Sequence, residues 1–80
     1  MDAQQIKTWI EEGLPDATVE VVGDGYHFQA LIVSPSFEGK SLLERQRMVK
    51  TLLQEHFDSG ALHALSMRTL TPEQWERERS

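Results

Sequence analysis

Three histidines, His27, His56 and His63, carry most of the potential chemistry of this 80-residue chain, which contains no cysteine. Imidazole is an uncharged metal donor of borderline softness. Without a thiol the chain cannot build a disulfide or a thiolate-ligated zinc site alone. His27 opens a β-rich run immediately after Gly23-Asp24-Gly25, and His63 comes after the helix-ending pair Ser59-Gly60 near the start of another. If the two runs are parallel strands, both histidines emerge at one end of a sheet, where they could share a metal. Spacing alone leaves this open, because two unlinked histidines are more often simply exposed. His56 falls within a helical stretch at the margin of its apolar face, and reads as a partly covered helix-end residue.

A second group is cationic. Lys40, Arg45, Arg47 and Lys50 fall within eleven positions, and Arg68 lies beyond the third β-rich run. Arg47 and Lys50 are i,i+3 neighbours on a helix. Arg45, Arg47, Lys50 and Arg68 are therefore the candidate nucleic-acid contacts; the competing reading is a solvated helix face balanced by Glu44 and Glu55. The formal charge of −5, from 13 acidic and 8 basic side chains, argues against a general nucleic-acid binder, since phosphate neutralisation needs clustered cations. No serine sits in a Gly-x-Ser-x-Gly elbow, and Gly23-Asp24-Gly25 lacks the length and subsequent helix of a phosphate-cradling loop. With little room for a pocket of roughly 300 Å³ or more, an enzyme is not expected.

The elements that must position these groups can be read from periodicity. Asp2 and Gln5 form a capping-box pattern, and Ile6, Trp9, Ile10 and Leu14 recur at helical spacing, predicting a helix over 3–12 closed by Gly13 and Pro15. Alternation from Ala17, the glycine turn and the run Tyr26 to Val33 predict an antiparallel hairpin. Residues 34–40 form a loop pinned by Phe37. Ser41 and Glu44 open the longest helix, to about Asp58, with Leu42, Val49, Leu52, Leu53 and Phe57 on its buried arc. Ala61 to Met67 is the third strand, and Thr71, Pro72 and Gln74 start a last helix through Trp75, with residues 76–80 a frayed tail.

The order α-β-β-α-β-α gives an α+β two-layer sandwich with a three-stranded mixed sheet, its second and third strands parallel through a right-handed crossover. Length allows one domain, residues 1–80, whose margin of stability must come from packing alone. No apolar run approaches the roughly 20 residues of a membrane span, and the N-terminal residues are not a signal sequence, so a cytoplasmic location is expected.

Two long ordered motifs resemble those of BolA-like proteins. Phe37 to Val49, FEGKSLLERQRMV, looks like the F-x-G-x(5)-R-x-R-x-V signature of that family. Ala61 to Trp75, ALHALSMRTLTPEQW, looks like its second signature, a strand carrying I-H-A and then T-x-T-P-x-x-W. Tyr26-His27-Phe28 with Val33-Ser34 is similar to the family's S-H-F…V-S strand. The resemblance spans nearly the whole chain and is strong to the family's short bacterial members.

It implies a fold similar to class II KH domains and partnership with monothiol glutaredoxins through a bridging [2Fe–2S] cluster. The glutaredoxin and glutathione would supply thiolates, His63 one imidazole, and a residue of the first hairpin the second. Many relatives carry a cysteine or histidine in a longer hairpin loop; here the loop lacks one, leaving His27 as the candidate. The resemblance also admits a transcription regulator binding nucleic acid, although the Gly-x-x-Gly clamp of KH domains is absent, and an adaptor that docks on glutaredoxin or another protein without sharing a cluster. A histidine-bridged homodimer is a further arrangement of the same donors.

Overall fold

The computed structural model describes residues 1–80. Helix α1 (Ala3–Gly13) starts at a reciprocal capping box, in which the Asp2 carboxylate accepts the Gln5 N–H and the Gln5 side chain accepts the Asp2 N–H, each at 2.9 Å. Its Ile6 and Ile10 are buried. Strands β1 (Thr18–Gly23) and β2 (His27–Val33) then pair antiparallel, from Thr18 opposite Val33 to Gly23 opposite Phe28. A single 3₁₀ turn, Pro35–Phe37, drops Phe37 fully into the core, as the loop's one large apolar residue should.

Helix α2 (Leu42–Leu52) leads into a short α3 (Gln54–Asp58), then β3 (Ala64–Leu70) and α4 (Pro72–Arg79). The sheet order is β1-β2-β3, with β3 parallel to β2 from His27 opposite Ala64 to Val33 opposite Leu70. The expected α+β architecture and mixed sheet are therefore present. One sheet face, carrying Val19, Phe28, Ala30 and Ile32, packs with Ile6, Ile10, Val49 and Leu53 of the helical layer. Glu20, Val22, Gln29 and Arg68 remain exposed on the strands.

Several expectations change. Helix α1 includes Gly13, which has no left-handed φ, and Leu14 caps it, its N–H donating to the Ile10 carbonyl at 2.8 Å. The long helix is not continuous: at Leu53 (φ −105, ψ 9) the N–H is shared between the Val49 and Lys50 carbonyls, both at 3.2 Å, which tightens the turn as the Leu53 side chain enters the core. The buried line of α2 is Arg45 and Val49, continued by its C-cap Leu53, so Leu42, 65% exposed, and Leu52, 36% exposed, lie off it. Strand β3 starts three residues later than Ala61, because Leu62 plugs the core and its N–H donates to the His56 carbonyl at 2.9 Å before pairing with β2 begins. The strand also ends later, at Leu70, so Arg68 lies within β3, not beyond it. Helix α4 continues to Arg79, so residues 76–79 are helical; the Glu73–Arg77 pair and a two-pronged Arg68–Glu78 contact tie its last turns down.

Candidate functional site

The parallel pairing of β2 and β3 fixes where the histidines stand. His27 is the first residue of β2 and opposes Ala64, so His63, immediately before β3, borders the same end of the sheet. Both are exposed. The Asp24 carboxylate builds the approach to His27 by accepting the N–H groups of Tyr26 at 2.9 Å and His27 at 2.8 Å, while the Asp24 N–H donates to the His27 carbonyl at 3.3 Å. The turn passes through Gly25 at φ +96, a left-handed conformation that a residue with a Cβ adopts only under strain. The His27 and Tyr26 backbone donors hold the Asp24 carboxyl below its ordinary value of 3.8.

Between the two histidines stands Tyr26. Its ring stacks on His63 with centroids 4.9 Å apart and planes 17° from parallel, and meets His27 edge-on at 4.9 Å and 76°. Sequence reasoning missed this aromatic group. The available signal was an aromatic residue directly after an Asp-Gly turn and directly before a histidine, which places three rings at one strand end once the strands are parallel.

Each imidazole brings metal-donor chemistry to this rim. Ligation uses an in-plane lone pair of an imidazole nitrogen, and stacking on a ring face leaves that edge accessible. Nowhere does the chain gather three or more histidine, aspartate or glutamate side chains around one point. A metal at this rim would need ligands beyond these two side chains.

His56 has a different fate. It is half-buried, and its ring stacks on Trp9 at 3.4 Å between centroids and 10° between planes. The helix-end reading is thus correct, with an aromatic partner the sequence did not reveal.

The cationic group is divided by the fold. Arg45, only 6% exposed, points inward: Nε donates to the Lys40 carbonyl at 3.0 Å, and one terminal nitrogen donates to the Thr69 carbonyl at 3.1 Å and to Gln74 Oε1 at 2.9 Å. Its guanidinium lies over the Phe37 ring, 5.8 Å from the centroid. Arg68 is engaged by Glu78 at 2.8 Å. Arg47 and Lys50 remain exposed on α2, so a four-residue contact surface of Arg45, Arg47, Lys50 and Arg68 is not assembled. The spacing held a clue, since Arg45, Val49 and Leu53 lie four residues apart on one helix line.

An open cleft of about 510 Å³ runs between the end of α1 and α2, larger than the chain length suggested. Leu14, Met48 and Leu52 form its apolar part, and Lys40, Glu44 and Arg47 its polar part. Neither His27 nor His63 lines it. No helix of the protein is long and apolar enough to cross a membrane.

Comparison with known proteins agrees with these motifs. The family model described as BolA-like protein matches residues 11–74, a span that includes His27, Arg45 and His63. The acid stress protein IbaG of Escherichia coli K12 is 34% identical over 79 residues, covering 99% of this chain and 94% of that protein. Human BolA-like protein 2 is 50% identical over 52 residues, 65% of this chain and 58% of that protein. Among solved structures, a BolA protein homologue from Coxiella burnetii superposes with a TM-score of 0.87 at 44% identity, covering 96% of this chain and 99% of that one. A family match spanning most of the chain, together with a fold that coincides almost end to end with a solved relative, places this protein in the BolA-like family.

Proposed function

We propose that this chain is a non-enzymatic partner of a monothiol glutaredoxin and shares a [2Fe–2S] cluster with it, in cluster trafficking or in sensing iron status or stress in the cytoplasm. The observation carrying this reading is the parallel register that sets His63 and His27 at one exposed rim. His63 would be one ligand and His27 the second, with thiolates from the glutaredoxin and glutathione completing the set. Such a cluster supplies one-electron chemistry and a labile iron–sulfur load, and imidazole in place of thiolate raises its potential, as in Rieske centres. The chain's own part is to hold two neutral donors at an open sheet end. The stress role draws on the name of the Escherichia coli relative, an acid stress protein.

Anaerobic coexpression with a monothiol glutaredoxin tests the proposal. A coloured heterodimer is expected, and His63→Ala should shift or abolish its visible circular dichroism bands. His27→Ala read in the same way decides the second ligand, and His56→Ala, whose ring is committed to Trp9, should leave the bands unchanged. A spectrum indifferent to His63→Ala removes that residue as a ligand.

A further inference from the structure

We propose that Tyr26 is a positioning residue for His63, its stacked ring holding the imidazole plane so that a ring nitrogen faces outward at the rim; this rests on the reading of His63 as a metal ligand.

The inference starts from freedom of rotation. An exposed histidine turns about two side-chain bonds, and the second of these is broad, so its donor nitrogen sweeps a wide arc. A ligand that must be fixed when a partner arrives loses that freedom at the partner's expense. His63 is exposed and belongs to no strand, being the residue just before β3. What restrains its ring in this protein is the Tyr26 face, 4.9 Å away and 17° from parallel. The contact covers one π-face and leaves the nitrogen-bearing edge accessible.

Tyr26 is itself placed by backbone bonds. Its N–H and that of His27 converge on one Asp24 oxygen, at 2.9 and 2.8 Å, which fixes the chain on both sides of the aromatic side chain. The same ring meets His27 edge-on at 76°, so the two imidazole planes stand steeply to one another across a single tyrosine. Tyr26 is 57% exposed and lies outside the buried core cluster. Its ring is a large apolar group kept at the surface, where its aromatic neighbours are the two candidate donors.

Aromatic pairs of this kind contribute the equivalent of about a 2- to 12-fold change in an equilibrium constant. Tyr26→Ser should weaken binding at His63 by that factor, and Tyr26→Phe should preserve it, because the ring face and not the hydroxyl makes the stack. Two measurements on the free protein read this independently of any partner. The His63 ring protons should lie upfield in NMR spectra of the wild type and of Tyr26→Phe and return toward unshielded positions in Tyr26→Ser. Titration with Cu²⁺, monitored by broadening of the His63 signals, should show the 2- to 12-fold loss only in Tyr26→Ser, with the midpoint of thermal unfolding unchanged. A third measurement, loss of the cluster from the glutaredoxin heterodimer to a chelator, should be faster in Tyr26→Ser alone.

Equal Cu²⁺ affinity in Tyr26→Ser and the wild type overturns the positioning role, as do His63 ring-proton shifts that are the same in the two proteins. If the Cu²⁺ series behaves as expected while the heterodimer spectrum ignores His63→Ala, His63 is removed as a cluster ligand and its positioning by Tyr26 stands.

Discussion

Replacing Arg45 with alanine should cost far more stability than the same change two residues later at Arg47. The Arg45 guanidinium serves three oxygens: the carbonyls of Lys40 and Thr69 and Gln74 Oε1, at 3.0, 3.1 and 2.9 Å. Gln74 Oε1 keeps a second donor, the Thr71 N–H at 2.9 Å, so its loss is partial. The other two carbonyls lose a charged donor in a part-buried and a buried setting. An unsatisfied buried acceptor costs about 1–3 kcal/mol, and truncation also strips the side-chain stem and its contact with Phe37. Because removing a guanidinium also relieves its desolvation, the sum is about 2–4 kcal/mol rather than the full worth of three charged bonds. For a domain of this size that lowers the unfolding midpoint by roughly 10–30 °C. Arg47 is exposed, so Arg47→Ala should stay within about 0.5 kcal/mol. Arg45→Lys should fall near Arg45→Ala, since a single ammonium cannot span the loop before α2, the end of β3 and α4 together. Urea denaturation of the three variants is the assay. Equal midpoints for Arg45→Ala and Arg47→Ala would refute the structural role, and Arg45 would return to the surface as a contact for anions.

Two further outcomes concern other parts of the fold. At Gly23, which pairs with Phe28 at the end of the hairpin, an added Cβ would lie 2.5 Å from the His27 carbonyl oxygen and 3.0 Å from Phe28 Cα; backbone must therefore move, and Gly23→Ala should destabilise by about 1–3 kcal/mol and displace the His27 amide resonance, whereas unchanged stability would show that the turn yields freely. Glu44 is held below its ordinary 4.5 by hydrogen bonds to Ser41, so the stability it contributes is present above that value and lost as pH falls through its lower folded value; the difference between wild type and Glu44→Gln in urea should shrink between about pH 5 and pH 3, and parallel curves would contradict the capping box.

Local rules were enough where a few residues decide the outcome. The capping boxes at Asp2, Ser41 and Thr71 all form, because each needs only two side chains three positions apart. The two histidines at one sheet end were also legible, since a helix between two strands permits parallel pairing. The interior of α2 was not, because hydropathy treats arginine as a surface residue and two of the three oxygens that accept from Arg45, those of Thr69 and Gln74, come from distant segments. The start of β3 escaped for a similar reason. Ala61-Leu62-His63 reads as part of the strand, but Leu62 enters the core and its N–H is taken by the His56 carbonyl, so pairing begins at Ala64, opposite His27. Tyr26 was hidden because its partner His63 lies 37 positions further along the chain.

The division of the cations bears on how the rim can work. Arg45 is committed to the interior and Arg68 to Glu78, in a chain whose net charge is −5. Asp24, kept ionised by its backbone donors, stands at the rim itself. A thiolate donor there would add negative charge beside Asp24 and face a partner that brings thiolates of its own. An imidazole donates while neutral, and each one used in place of a thiolate removes one unit of negative charge from the shared centre. Setting thiolates against one another from both surfaces of the proposed complex would thereby be avoided. In the proposed complex the cluster would consequently be held by neutral donors on this side, beside the ionised Asp24.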